Sequence, residues 1–287
     1  MDTKELLKQV RKIEIKTRRL SDHIFSGEYH SSFKGRGMSF AEVRKYQYGD
    51  DVRAIDWMVT ARLNEPYIKT FEEERELTMV LMVDVSGSEF FGSEKRKREV
   101  ITEICATLAF SAIQNNDKVG ILFFSDKIEK FIPPKKGKQH ALHIIRDLIE
   151  LEPEGKGTDI GLALEYLAGI MKKKAIVFLL SDFVSAPYEK PLRVVAKKHD
   201  ITGIRVYDKL EETLPNLGLV LSHDKETGKS FWLNTSSKKV RRSFNQIQHQ
   251  AKSDFKNHFA KSGSGNFSVN TEESYVKQLL NYFKQRA

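Results

Sequence analysis

Met79 to Val83 is an unbroken apolar run, and it stops abruptly at Asp84, Ser86, Gly87 and Ser88. Apolar residues without alternation suit a strand covered on both faces. The polar cluster cannot continue such a strand, so the chain must turn where the run ends. Asp84, Ser86 and Ser88 lie at i, i+2 and i+4, and their oxygens converge if the loop curls. Gly87 relieves the steric limits on that curl. One carboxylate and two hydroxyls make a hard, oxygen-only donor set, which suits Mg²⁺, Mn²⁺ or Ca²⁺.

The same pattern of short buried strands recurs downstream. Lys118–Phe124, Ala175–Leu180 and Ile201–Tyr207 read as core strands, with Ile128–Ile132 hairpinned onto the first of them and closed by Pro133-Pro134. Between them, Lys95–Asn115, residues 138–150, about 159–171 and 189–198 carry apolar residues at helical spacing. Strands alternating with helices imply an α/β domain with a mainly parallel sheet. The tail is less regular. Leu219-Val-Leu221 and Ser230-Phe-Trp-Leu233 flank a hairpin signal at Asp224–Gly228. Ser236–Ala260 reads as a basic helix, Phe267-Ser-Val269 as a short strand and Glu272–Gln285 as a closing helix.

Ahead of the first core strand, residues 3–20 read as an amphipathic helix and Gly35-Arg-Gly37 as a turn. Ser39–Tyr48 reads as a short strand or helix, and Tyr67–Phe71 alternates like an edge strand. Between them lie Gly49-Asp50-Asp51-Val52-Arg53-Ala54-Ile55-Asp56-Trp57 and Thr60-Ala61-Arg62, dense enough in acids and arginines to suggest a paired polar network. The division expected is an N-terminal helix and extension over 1–76 packed on the core, and an α/β domain over 77–287.

Forty per cent hydrophobic residues in 287 argue against global disorder. The single cysteine, Cys105, falls on an apolar helical stripe and reads as a core thiol in a reducing compartment. The charged N-terminus lacks the apolar segment of a signal peptide, and no apolar run reaches a bilayer span. A cytoplasmic protein is therefore the expectation. The net charge of +9 suits acidic partners without selecting one.

In an open parallel sheet, ligands bind beyond the carboxyl ends of the strands. Asp84, Ser86 and Ser88 follow one strand, Thr158 opens a helix leading into another, and Asp182 ends that one. Singly, Ser88 and Thr158 could be helix N-caps and Asp182 a turn residue. Together and in this order they resemble the metal-ion-dependent adhesion site of von Willebrand factor A (vWA) domains, written D-x-S-x-S, then T, then D. Tyr48-Gly49-Asp50-Asp51, Arg53, Ile55-Asp56-Trp57, Ala61-Arg62 and Phe71-Glu72 resemble the signature of a bacterial vWA-containing family catalogued as domain of unknown function 58.

The resemblance covers roughly residues 25–210. It implies a vWA-like open, mainly parallel sheet with helices on both faces, plus an N-terminal helical/β extension. It also implies a magnesium-type ion held by Asp84, Ser86, Ser88, Thr158 and Asp182, with one position open to a carboxylate from a protein partner. Members are often encoded beside MoxR-type AAA+ ATPases, which implies such a partner. Many carry N-terminal transmembrane helices, and none is expected here.

Two other functions are weighed. A metal-dependent phosphatase with Asp84 as nucleophile wants a second acid two residues on, and that position is Ser86. Val85-Ser86-Gly87-Ser88 is not a nucleophile elbow either, because glycine does not precede the serine. No enzyme is expected. Nucleic-acid or anionic-membrane binding would rest on Lys238, Lys239, Arg241, Arg242, Lys252 and Lys256. Phe244, Phe255 and Phe259 interleave with them, but at a spacing that fits a core-facing stripe better than a base-stacking platform.

Overall fold

The apolar runs do become strands, and their order fixes where everything else lies. The computed structural model describes residues 10–17, 39–72, 77–86, 94–208, 214, 216–223 and 230–286. The chain divides into two compact units, one of residues 33–77 and one of residues 1–32 with 78–287.

The larger unit is built on β3 (Thr78–Asp84), β4 (Lys118–Phe124), β5 (Ile128–Lys135), β6 (Ile176–Ser181), β7 (Asp200–Tyr207) and β10 (Gly265–Asn270). Their order is β10-β7-β6-β3-β4-β5, parallel throughout except for β5 at one edge. The sheet runs outward from β3 in both directions, so its central strand is also its first. This is the α/β domain with a mainly parallel sheet expected from the alternation of strands and helices.

One face carries α5 (Ile160–Ile170), α6 (Glu189–Ala196) and α7 (Lys238–Ser262). Ile160, Leu164, Leu167, Leu192, Phe255 and Phe259 bury against Val80, Met82, Val177 and Leu179. The other face carries α3 (Glu94–Gln114), α4 (Lys138–Glu150) and α8 (Tyr275–Arg286). There Ile104, Cys105 and Leu108 are fully enclosed, and Phe178 meets Phe283 edge to face at 6.3 Å. Burial pushes the Cys105 thiol up and keeps it protonated. Residues 10–17 form helix α1, tied to α3 by Lys16–Glu103 at 2.6 Å and to α4 by Glu14–Lys138 at 2.5 Å. The rest of the helix expected over 3–20 lies outside the described residues.

Two expectations change. β5 continues through Pro133 and Pro134 instead of ending there, because it is an edge strand whose pairing is irregular near that point. The C-terminal short strand is longer than expected, and pairs in parallel with β7 to complete the sheet.

The smaller unit pairs β1 (Ser39–Lys45) with β2 (Tyr67–Glu72) in antiparallel fashion around a 3-10 turn (Val52–Ala54) and helix α2 (Trp57–Leu63). Its polar network is specific. Arg44 grips Asp50 through both carboxylate oxygens at 2.9 and 2.7 Å, Asp51 caps the 3-10 turn, and Asp56 accepts from the amides of Met58 and Val59 at the start of α2. Trp57 is exposed. A separate hairpin, β8 (Leu219–His223) with β9 (Ser230–Asn234), matches the pairing read from the tail, while its turn lies outside the described residues.

Candidate functional site

Parallel pairing of β3 with β6 sets Val83 opposite Leu180, so Asp84 emerges beside Ser181 at the carboxyl edge. Asp84 is buried there. Its Oδ2 accepts from the Ser181 hydroxyl at 2.6 Å, and its Oδ1 accepts from the amide of Ser86 at 3.0 Å. The Thr158 hydroxyl donates to Ser86 Oγ at 2.7 Å. Three residues the sequence put on two separate loops thus form one hydrogen-bonded chain. The loop carrying Thr158 is fastened from both sides: the Asp159 amide donates to the Ser125 carbonyl, and the Ser185 hydroxyl donates to the Thr158 carbonyl.

Helix capping does not account for Thr158. The cap of α5 is Asp159, whose carboxylate accepts from the Leu162 amide, which leaves the Thr158 side chain to the site. Asp182, one residue beyond β6, does make the turn contact expected of such a residue, accepting from the Val184 amide at 3.0 Å. Its second oxygen faces Lys97 Nζ at 3.3 Å. Ser88 lies outside the described residues.

Burial, and next the charge of Asp182, push the Asp84 carboxyl up to about 6, against hydrogen bonds from Ser181 and Ser86 that favour its ionised form. Two buried carboxylates within electrostatic reach of each other are an excess of negative charge that a cation would relieve. Among the described residues no three His, Cys, Asp or Glu gather as they would at an all-carboxylate or imidazole site. Here the hydroxyls of Ser86 and Thr158 complete the oxygen set. Such donors fit Mg²⁺ or Mn²⁺ and would be poor ligands for a soft metal.

Three contributors escaped the sequence reading. Ser181 is the last residue of an apolar strand. Lys97 belongs to a run of charges that reads as solvated. Phe183 adopts the left-handed region, at φ 62°, which a bulky residue holds only when its surroundings require it. Those surroundings are the rings of Phe255 and Phe259, 4.2 and 5.5 Å away, and Tyr188 at 5.9 Å. The histidines of α4 are not gathered at the site: His140 Nε2 meets the Val119 carbonyl at 2.9 Å, and His143 faces Asp147.

Residues 42–254 match the family described as "Protein of unknown function DUF58". The chain belongs to that family. The DUF58 match begins in the hairpin of the smaller unit and ends within α7, so it takes in both the polar network and the sheet, except for β10, with its candidate site. Among its relatives, the uncharacterized protein Rv1480 of Mycobacterium tuberculosis is 29% identical over 232 residues, which are 79% of this chain and 73% of the relative. The uncharacterized YeaD of Bacillus subtilis is 30% identical over 121 residues, 42% of this chain and 27% of the relative.

Solved structures similar to this DUF58 chain include the conserved hypothetical protein BatB from Bacteroides thetaiotaomicron, 14% identical with a TM-score of 0.47, covering 73% of this chain and 98% of that one. The SpRpn10 vWA domain is 12% identical with a TM-score of 0.36, covering 72% and 94%. Among the described residues, no helix is long and apolar enough to cross a membrane.

Proposed function

We propose that this DUF58 protein is a metal-dependent protein–protein interaction module, in which Asp84, Ser86, Ser88, Thr158 and Asp182 hold a Mg²⁺ or Mn²⁺ ion that a partner's carboxylate completes. The observation that carries this reading is the hydrogen-bonded chain from half-buried Thr158 through buried Ser86 to buried Asp84, with Asp182 close enough to raise the Asp84 carboxyl. Bound there, the ion supplies a point of positive charge for an acidic partner, with no bond made or broken. The protein's own residues would orient it. Ser181 and the Ser86 amide fix the Asp84 carboxylate, and the Val184 amide fixes that of Asp182. A non-enzymatic role is part of the proposal, because Ser86 stands where a phosphatase of this layout would need its second acid.

The family resemblance supports a further step, that the partner system includes a MoxR-type AAA+ ATPase and that the module acts in assembly or remodelling of a protein complex. A cytoplasmic location is proposed with it.

Calorimetric titration of Mn²⁺ into the wild type and into Ser86→Ala/Thr158→Ala tests the site. Binding by the wild type and none by the folded double variant is the expected result. Equal binding by both would remove these residues from the ion.

A further inference from the structure

An open groove of about 820 Å³ runs between residues 183–189, the loop that follows β6, and one face of α7. On α7 its lining residues recur every three or four positions from Ser243 to His258, a stripe about 22 Å long at about 1.5 Å per residue. That length matches roughly six or seven residues of extended polypeptide. Three chemistries meet in the groove. Ile247 and Val184 stand exposed and offer an apolar seat. Asp254 accepts from the neutral side chain of Gln250 at 2.9 Å and forms no ion pair among the described residues, so its charge faces the groove unbalanced. Tyr188 Oη and His258 Nδ1 are buried in the groove wall without a hydrogen-bond partner among the described residues. Leaving such atoms unpaired is costly, and a ligand that reaches them removes the cost. Burial, and next the charge of Asp254, push the Tyr188 hydroxyl up, so it remains a donor. Glu189 Oε2 lies 3.8 Å from His258 Nε2, which favours the ring proton there and leaves Nδ1 an acceptor. A peptide group presents both the carbonyl that the first atom lacks and the N–H that the second lacks.

We propose that this groove seats an extended segment of a partner protein, which lays an apolar side chain against Ile247 and Val184, sets a lysine or arginine beside Asp254, and pairs its backbone with Tyr188 and His258. The proposal extends the interaction-module reading to a second surface and needs no ion at Asp84. The groove is nevertheless continuous with the candidate site: the Val184 amide donates to Asp182, and the Ser185 hydroxyl donates to the Thr158 carbonyl. From Ile247 to Asp254 the helix rises about 10 Å, so the basic residue stands roughly three positions from the apolar one in an extended chain. Asp254 and Glu189 repel an acidic segment or a nucleic-acid backbone from the same place.

The test is fluorescence anisotropy of the full chain, in chelator, with labelled hexapeptide libraries. One library carries leucine, isoleucine or phenylalanine at its second position and lysine or arginine at its fifth, with small neutral residues elsewhere. Matched libraries carry serine at the second position or glutamate at the fifth. The wild type is expected to bind the first library about tenfold or more tightly than either matched one. Ile247→Glu, at an exposed position, should lose that binding, and Asp254→Asn should lose the discrimination between lysine and glutamate. Tyr188→Phe keeps the ring and should weaken binding about three- to tenfold. Each variant is first checked for a cooperative thermal transition. A wild type that does not discriminate among the libraries, or a folded Ile247→Glu that binds as the wild type does, overturns the inference. A wild-type dimer in sedimentation that Ile247→Glu disperses gives the groove to a second copy of the chain and overturns it too. Because no ion is present, none of these outcomes bears on the metal site, which the Mn²⁺ titration decides by itself.

Discussion

A carboxyl group held near 6 in the folded chain, against an ordinary value of 3.8, makes Asp84 a liability to the metal-free fold at neutral pH. Because its folded value is the higher one, its stabilising contribution is full below about pH 4 and is lost as the pH rises through 6. The loss is on the order of 2–3 kcal/mol. In chelator, Asp84→Asn is expected to melt above the wild type at pH 7.5, with the two converging toward pH 4. Thermal melts across that range measure it, and a variant that melts lower at every pH would show that the Ser181 and Ser86 contacts outweigh the charge. Among the candidate site's residues, Asp84, Asp182 and Thr158 stand out in sequence because Asp84 and Asp182 end apolar strands and Thr158 sits in a polar loop after Gly157, whereas Ser181 closes an apolar strand and does not. Nor does Lys97. In Glu94-Lys95-Arg96-Lys97-Arg98-Glu99 every residue looks solvated, yet Arg98 also turns inward and donates to the carbonyls of Leu148, Ile149 and Leu151 at the end of α4. Which members of a charged run face inward is decided by the helix's rotation against the sheet, and composition does not carry that rotation.

Helix α7 shows how an element remote in sequence holds the site's third loop. Its stripe at Phe255 and Phe259 was legible as a core face from the four-residue spacing, and both rings are fully buried. The sequence left unstated what the stripe packs on. Phe259 and Phe255 cross β7 at Gly203, where an added Cβ would lie 2.5 Å from one ring and 2.7 Å from the other. They also enclose Phe183, the residue after Asp182. Gly203→Ala is expected to lower stability by about 1–3 kcal/mol, as overpacking does. Phe255→Ala should cost about 3–5 kcal/mol through the cavity it opens. Denaturant titration measures both. Phe255→Ala should in addition weaken Mn²⁺ binding, since Phe183 then loses the ring that holds it left-handed beside Asp182; unchanged affinity would mean that the loop keeps its shape unaided. Strand β5 carries the complementary lesson. Proline reads as a stop in sequence, and only the strand's place at the edge explains why it is not one here.

Across the whole molecule, the polar block around Trp57 and the residues of the candidate site fall in different compact units. Asp56 accepts from two amides of α2 and pairs with Lys69 at 3.4 Å, all within residues 33–77. Asp56→Ala is accordingly expected to lower the melting temperature while leaving Mn²⁺ affinity unchanged; a matching loss in calorimetry would mean that the smaller unit acts on the site. The strand–helix alternation made the class of the larger unit legible, but not the partnership of β3 with β6. Asp84 and Ser181 are 97 residues apart, and nothing local records that they meet. That separation has a consequence in time. Synthesis proceeds at about 5–20 residues per second, so β3 is made roughly 5–20 s before β6. Throughout that wait, the buried apolar strand β3 has one flank without its neighbour β6. Newborn chains of this protein should therefore lean on cellular holding factors during that interval, and pulse-labelled nascent chains stalled before residue 176 should be far more prone to aggregate than chains stalled after 207.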